Sequence, residues 1–303
     1  MQPEEHPLSN SDLEAIARRG RLLAVSTVAA SKAGHVGGPL SAMDLLVALF
    51  FRTMSIRPDE PDWPERDRFI LSKGHSAIGL YSVMAMRGYF PIDELATFDK
   101  GDSRLQGHPD PTKLPGIETA TGSLGQGLSV GVGFALGAKL NDEKSHNWVM
   151  LGDGELQEGM IWESVHVAAR YRLGNLTAIV DNNGLQQFGW DPDADDLADR
   201  RGPWRGFDIA AIFRAFGWNV IEFDGHDFGE IDEAFTAATN APRDSAPTAL
   251  IAKTVKGKGL SFAENKYAWH TGVANDAQLA QARIELNTPR DAEVGTQAME
   301  ARS

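Results

Sequence analysis

The sequence predicts an α/β fold, a mostly parallel sheet with helices on both faces, and two observations carry that prediction. Five short apolar runs stand at wide spacing along the chain, and between them hydrophobic residues recur at helical spacing. Parallel neighbours need long crossovers, so strand–helix alternation at this spacing leads to a parallel sheet covered on both sides. The 303 residues can bury a large core, and neither an internal repeat nor a low-complexity linker divides them. Residues 1–275 are therefore expected to form one domain, with 276–303 as a C-terminal helix or looser tail.

In chain order, the first helical pattern places Leu13, Ile16, Ala17, Ala24 and Val28 on one face. The strand-like runs are residues 68–72 (RFILS), 147–151 (NWVML), 176–181 (LTAIVD), 219–223 (NVIEF) and 248–254 (TALIAKT). After the second of them Ile161, Val165, Ala168 and Ala169 return to helical spacing. Ligands of such sheets bind beyond the carboxyl ends of the strands, so those loops are where chemistry is sought.

Composition narrows the function classes. Apolar residues at 42% and charged residues at 23% are ordinary for a folded domain. The chain has no cysteine, which removes disulfides, thiolate metal sites, Fe–S clusters and cysteine nucleophiles together. A net charge of −13 repels nucleic acid and anionic membranes, so a phosphorylated ligand needs a metal, a helix N-terminus or clustered donors. The first 25 residues carry acids and prolines rather than a basic patch and an apolar stretch, and nowhere do 18 apolar residues run together. The expectation is a cytoplasmic protein with neither nucleic acid nor membrane as partner.

The run at 147–151 leads into Gly152-Asp153-Gly154 just before a helix, so Asp153 sits at a strand's carboxyl end. The next run ends in Asp181-Asn182-Asn183-Gly184, bringing more side-chain oxygens to the same edge of the sheet. One carboxylate and one amide oxygen are too few for a tight protein-only site. They suit a Mg²⁺ that completes its octahedron with phosphate oxygens and water. Gly154 lets the backbone approach a phosphate, and the N–H groups of the following helical turn add positive potential. Alone, Asp-Gly or Asn-Gly is a turn; the pair at this spacing favours a cofactor.

Gly-Asp-Gly, 27 intervening residues and then Asn-Asn resembles the thiamine diphosphate motif in residue type and spacing. That resemblance implies Asp153 and Asn183 as metal ligands, with the backbone carbonyl of Leu185 as the third. Longer strings extend it: Ala33-Gly-His-Val-Gly-Gly-Pro39, Ser72-Lys-Gly-His-Ser76, Gln106-Gly-His-Pro109, Thr121-Gly-Ser-Leu-Gly-Gln-Gly127, and residues 253–259 before His270. In order, and across nearly all of residues 10–275, these resemble the transketolase family. Specifically, the chain resembles the N-terminal, diphosphate-binding subunit of a two-chain transketolase, with the thiamine-diphosphate-binding fold.

The resemblance implies a function and its residues. His75, Gly154 and His270 are expected at the diphosphate, while Gly122, Ser123 and Leu124 line the cofactor and Asn183 also touches it. His35, His108 and His270 face the sugar, where imidazoles can exchange hydrogen bonds and protons near neutral pH. Glu155 is counted with the cofactor-binding residues, although it and Glu158 also read as helix-start acids favoured by the dipole. His226, in Asp224-Gly-His-Asp227, is read as structural, and His6, His146 and His166 carry no functional signal. Val36 and Ser123 stand where many family members have proline, variation of a kind found in split transketolases.

Thiamine chemistry also needs a glutamate that protonates the pyrimidine ring, and in transketolases it lies in the pyrimidine-binding domain. The expectation is therefore a pyrimidine-binding partner chain, an α₂β₂ assembly, and sugar phosphates as substrates.

Rival readings are a deoxyxylulose-phosphate synthase or a 2-oxoacid dehydrogenase component, and less closely a nicotinamide dehydrogenase or a non-catalytic scaffold. Gly127-Leu-Ser-Val-Gly131 fits the serine-hydrolase elbow, but no strand precedes it. Gly127, Gly131, Gly133 and Gly137 read instead as one closely packed helix face.

Overall fold

A computed structural model describes residues 8–187 and 208–287. Five strands, β1 (Arg68–Leu71), β2 (Asn147–Gly152), β3 (Leu176–Asn182), β4 (Asn219–Asp224) and β5 (Thr248–Lys253), form one sheet in the order β1-β2-β3-β5-β4. All four pairings are parallel. Each strand falls where an apolar run predicted it, to within a residue at either end.

Side-chain alternation sorts the core into two layers. Trp148 and Met150 of β2, Ile179 of β3 and Leu250 of β5 point to one face, covered by α1 (Asn10–Ser31), α2 (Gly37–Ala48), α3 (Ala77–Arg87) and α7 (Phe228–Thr239). Val149 and Leu151, Ala178 and Val180, and Ala249 and Ile251 point to the other, covered by α4 (Gln126–Leu140), α5 (Gly159–Arg170) and α6 (Ile209–Ala215). Both faces of β2, β3 and β5 are thus dry, which explains why these strands read as continuous apolar runs rather than as alternating ones, whereas β4 at the edge keeps Asn219, Glu222 and Asp224 exposed. The final helix, α8 (Asp276–Glu285), docks Ala282 against the first layer. The rest of the expected C-terminal tail, residues 288–303, lies outside the described residues.

Local chemistry sets the helix ends. Ser9 and Asp12 form a capping box at the start of α1, and Asp227 caps α7 through the N–H groups of Gly229 and Glu230. The expected glycine face of α4 divides in two. Gly127 and Gly131 press on Ser72 and Val149, whereas a Cβ at Gly133 or Gly137 meets nothing within 4 Å. Residues 127 and 131 share one face of the helix, and 133 and 137 lie on another.

The register aligns the functional ends. Gly152 pairs with Asp181 and Asn182 pairs with Lys253, so the loops after β2, β3 and β5 open at one edge. The turn after β1 and the N-terminus of α2 close the same edge from the side.

Candidate active site

At that carboxyl edge lies a cleft of about 510 Å³, lined by residues from every one of these loops. Asp153 follows β2. Its Oδ1 accepts Gly154 N–H at 2.8 Å and its Oδ2 accepts Gly184 N–H at 2.6 Å, which ties the loop after β2 to the loop after β3. Asn183 donates to Asp181 Oδ2 at 3.3 Å and to Ser41 Oγ at 3.4 Å, while its Oδ1 accepts Leu185 N–H at 3.1 Å. Asp153, Asn183 and Leu185 all line the one cleft.

Two lysines supply the charge that the sequence hid. Lys73 is 1% exposed; its ammonium bonds Asp181 and donates to Gly38 O at 3.3 Å. Lys256 is 2% exposed and donates to Leu185 O at 2.9 Å and Gln186 O at 3.1 Å, with His270 Nδ1 at 2.9 Å. Burial pushes the Lys256 amine down to about 8, so it remains mostly charged at neutral pH. Burial by itself pushes the Asp181 carboxyl up, but the Lys73 ammonium and the Ser41 and Thr254 hydroxyls bring it below the usual range. Burial, and then the neighbouring Asp181, push Asp153 up to about 6.

Four histidines gather above this floor. Ring centroids of His35, His75 and His270 lie 5.0 to 5.2 Å apart, and His108 stands 6.5 Å from His35. Burial pushes His35 down to about 4, His75 to about 2 and His270 to about 3, with His108, Lys73 and Lys256 respectively the next contributors. All three are neutral imidazoles at pH 7, each able to donate from one nitrogen and accept at the other. His108 packs on the glycine loop, where a Cβ at Gly122 would stand 2.8 Å from its Cδ2. Gly122 has φ +135° and Gly74 stacks on it so closely that a Cβ there would meet its N at 2.6 Å.

Several sequence expectations change. Gly122 and Leu124 line the cleft, but Ser123 is exposed and does not, because the turn at Gly122 directs the next side chain outward. Glu155 is 2% exposed and is no mere helix-start acid. Its carboxylate accepts Ser72 Oγ at 2.5 Å, Gly125 N–H at 2.9 Å and Gly152 N–H at 3.1 Å, holding three cleft loops together. Ser129 lies within α4 and donates to Gln126 O at 2.7 Å, with a loop rather than a strand before the helix, so the hydrolase elbow does not form. Lys73, Lys256 and Asp181 went unassigned in the sequence; only their burial separates them from surface charges.

Residues 13–297 match the family described as "Transketolase, thiamine diphosphate binding domain". The chain belongs to the transketolase family. Among its relatives, the 6-deoxy-6-sulfo-D-fructose transketolase subunit of a Clostridium species is 40% identical over 275 residues, 91% of this chain and 96% of that protein. A subunit of the apulose-4-phosphate transketolase from Phocaeicola vulgatus is 38% identical, again over 91% of this chain and 94% of its own length. The human transketolase is 40% identical over 85% of this chain but only 39% of its own. A Pichia stipitis transketolase solved with sedoheptulose-7-phosphate superposes with a TM-score of 0.83 at 32% identity, over 93% of this chain and 42% of that one. The fold that carries this cleft is therefore a transketolase-family thiamine diphosphate binding domain. No helix among the described residues is long and apolar enough to cross a membrane.

Proposed function

We propose that this chain is the diphosphate-binding subunit of a two-chain, thiamine-diphosphate- and Mg²⁺-dependent transketolase of the cytoplasm. In this reading it moves a two-carbon ketol unit from a ketose phosphate to an aldose acceptor once a pyrimidine-binding partner completes the site in an α₂β₂ assembly. The observation that carries the proposal is the meeting, at one sheet edge, of Asp153 and Asn183 with two buried lysines and four histidines. Subunit names on relatives matched over almost their whole length support the two-chain form.

The residues suit the group. Among the described residues no three His, Cys, Asp or Glu side chains are grouped to hold a metal. Asp153, Asn183 and the Leu185 carbonyl instead offer a partial oxygen set, the arrangement expected of a Mg²⁺ shared with phosphate oxygens. A divalent cation there would keep Asp153 ionised against the burial that pushes it up to about 6. Lys73, Lys256, His75 and Gly154 would line the diphosphate's place, and Gly122 and Leu124 that of the rings. When bound, thiamine diphosphate supplies the electron sink for carbon–carbon bond cleavage. The chain's own part is to hold the anionic end and to present neutral His35, His108 and His270 to the sugar's hydroxyls, donating and accepting protons there.

The test is to assay this chain, its partner and their mixture with a ketose phosphate donor and an aldose phosphate acceptor, with and without Mg²⁺ and thiamine diphosphate. Ketol transfer is expected only in the mixture with both present. Robust transfer by this chain alone would overturn the two-chain reading, and failure of the mixture to bind thiamine diphosphate would overturn the cofactor reading.

A further inference from the structure

The turn after β4, read from sequence as merely structural, is linked through one imidazole to the backbone beside the cleft residue Lys256. Gly225 lets it lie against the end of β5, where a Cβ would stand 2.6 Å from Thr254 Cγ2, and the Gly225 N–H donates to Lys253 O at 2.9 Å. His226 then bridges two elements. Its Nδ1 lies 2.6 Å from Asp44 Oδ2 on α2, and its Nε2 accepts the Val255 N–H at 2.9 Å. Since Nε2 accepts, the ring proton sits on Nδ1 and is donated to Asp44.

Asp44 is itself held. Arg21 of α1 donates from Nη1 to Asp44 Oδ1 at 3.0 Å and from Nη2 to Oδ2 at 2.5 Å, while its Nε donates to Leu40 O at 3.2 Å. Both side chains are buried, and a buried ion pair is weak grounds for a stability role because desolvation offsets the attraction. What this pair does hold is the orientation of the imidazole.

Val255 precedes Lys256 and has left the sheet, for β5 ends at Lys253. On either side the backbone is anchored, Thr254 N–H to Asn182 O at 3.3 Å and Gly257 N–H to Gly37 O at 3.0 Å. Between those anchors His226 ties the Thr254–Val255 peptide through its N–H, and the next peptide, whose Val255 carbonyl accepts the Lys258 N–H at 3.1 Å, launches the Lys256 side chain. The lysine stem runs along the start of α2 so closely that a Cβ at Gly37 would meet its Cγ at 2.9 Å.

We infer that His226, oriented by Asp44 and Arg21, is a positioning residue for the cleft: by accepting the Val255 amide it aims Lys256 between Leu185 O, Gln186 O and His270. This role rests on the cleft being the cofactor site. Two variants separate the arms of the ring. His226→Asn keeps a donor where Nδ1 stood but is too short to reach Val255, whereas His226→Gln places an acceptor near the position of Nε2.

The experiment titrates thiamine diphosphate with excess Mg²⁺ into the full chain by calorimetry, and follows exchange of the Val255 amide in ¹⁵N-valine-labelled protein. For His226→Asn, affinity is expected to weaken about tenfold and exchange to quicken about tenfold, as for one lost hydrogen bond. His226→Gln should stay within about threefold of the parent on both measures. Parent-like values for Asn, or equal losses for Asn and Gln, would overturn the inference. If His226→Asn does not fold, His226→Gln decides alone: retained Val255 protection supports the role and lost protection ends it. If the parent chain alone shows no affinity for thiamine diphosphate, the titration is made on the mixture with its partner, where absence of binding ends the cofactor reading, while the exchange contrast still decides what His226 holds.

Discussion

Lys256 Nζ lies 2.9 Å from His270 Nδ1, and with its other two protons on Leu185 O and Gln186 O all three ammonium donors are engaged. His270 Nδ1 must then accept, which leaves Nε2 as the protonated nitrogen. A cation beside a neutral ring is stable here because burial, and then the lysine charge, push His270 down to about 3.

Replacing Lys256 with Met removes the charge and leaves those three acceptors without their donor. Thiamine diphosphate affinity of the chain is expected to fall roughly 10- to 100-fold, the scale of a lost charged hydrogen bond. Calorimetric titration checks this, and an unchanged dissociation constant would show that neither the Lys256 charge nor the contacts it holds act on the diphosphate.

A second prediction concerns acid stability. His146 is buried, with Nε2 2.8 Å from Thr177 Oγ1, and burial, then Arg243, push it down to about 4. Between about 6.5 and 4 the unfolded chain takes up a proton that the folded chain refuses, so stability is lost as the pH falls through that window. From pH 7 to pH 5 the parent should lose ~2 kcal/mol relative to His146→Asn, with the cleft histidines cancelling in the difference. Urea unfolding at the two pH values measures it; parallel losses would show that His146 does not titrate as its burial requires.

Four strands were legible because each is a short apolar run buried almost throughout, β4 because its apolar residues stand between turn signals although it is an edge strand with one buried residue, and Asp153 and Asn183 because two turn motifs stood at a telling distance. Strand order was not, since nothing local to residues 219–224 shows that β4 lies outside β5. The lysines were hidden for a related reason. Lys73 and Lys256 sit in strings rich in glycine and histidine, yet a lysine's burial depends on what folds over it, here Asp181 for one and the loop after β3 for the other. His226 was set aside because its two partners, Asp44 and Val255, lie 182 and 29 positions away.

The two classes of glycine on α4 give a contrast in stability. A Cβ at Gly127 would stand 2.5 Å from Ser72 Oγ and 2.8 Å from Ser72 Cα, so Gly127→Ala must displace the turn after β1. Loss of ~1 to 3 kcal/mol is expected, as for overpacking. Gly133→Ala meets nothing and should stabilise the isolated chain by about 0.5 to 1 kcal/mol through helix propensity. Thermal unfolding of both variants checks the signs, and a stabilised Gly127→Ala would contradict the packing.

His108 is exposed at the mouth of the cleft, stacked on Gly122 rather than on the buried floor. In the assembled enzyme His108→Ala should lower turnover by about 100-fold or more, while thiamine diphosphate affinity changes by less than about threefold. A variant that loses the cofactor yet turns over normally when it is saturating would place His108 with the cofactor instead.

The last prediction links cofactor to assembly. If this chain holds the diphosphate and the partner holds the pyrimidine, thiamine diphosphate contacts both, and whatever free energy it gains only in the assembled state must appear as tighter association. Sedimentation of the two chains should therefore show a lower dissociation constant with thiamine diphosphate and Mg²⁺ than without, by about tenfold or more if the coupling is of ordinary size. Asp153 identifies the route. It lines the cleft, and its oxygens also tie Gly154 to Gly184, so Asp153→Asn, which removes the charge and keeps one of those two acceptors, is preferable to Asp153→Ala, which loses both. That variant should associate as the parent does without cofactor and, if the proposed Mg²⁺ at Asp153 joins the diphosphate to this chain, should lose most of the cofactor's gain. Equal association with and without cofactor in the parent would mean that the cofactor does not bridge the chains; a full gain in the variant would mean that it bridges them without Asp153.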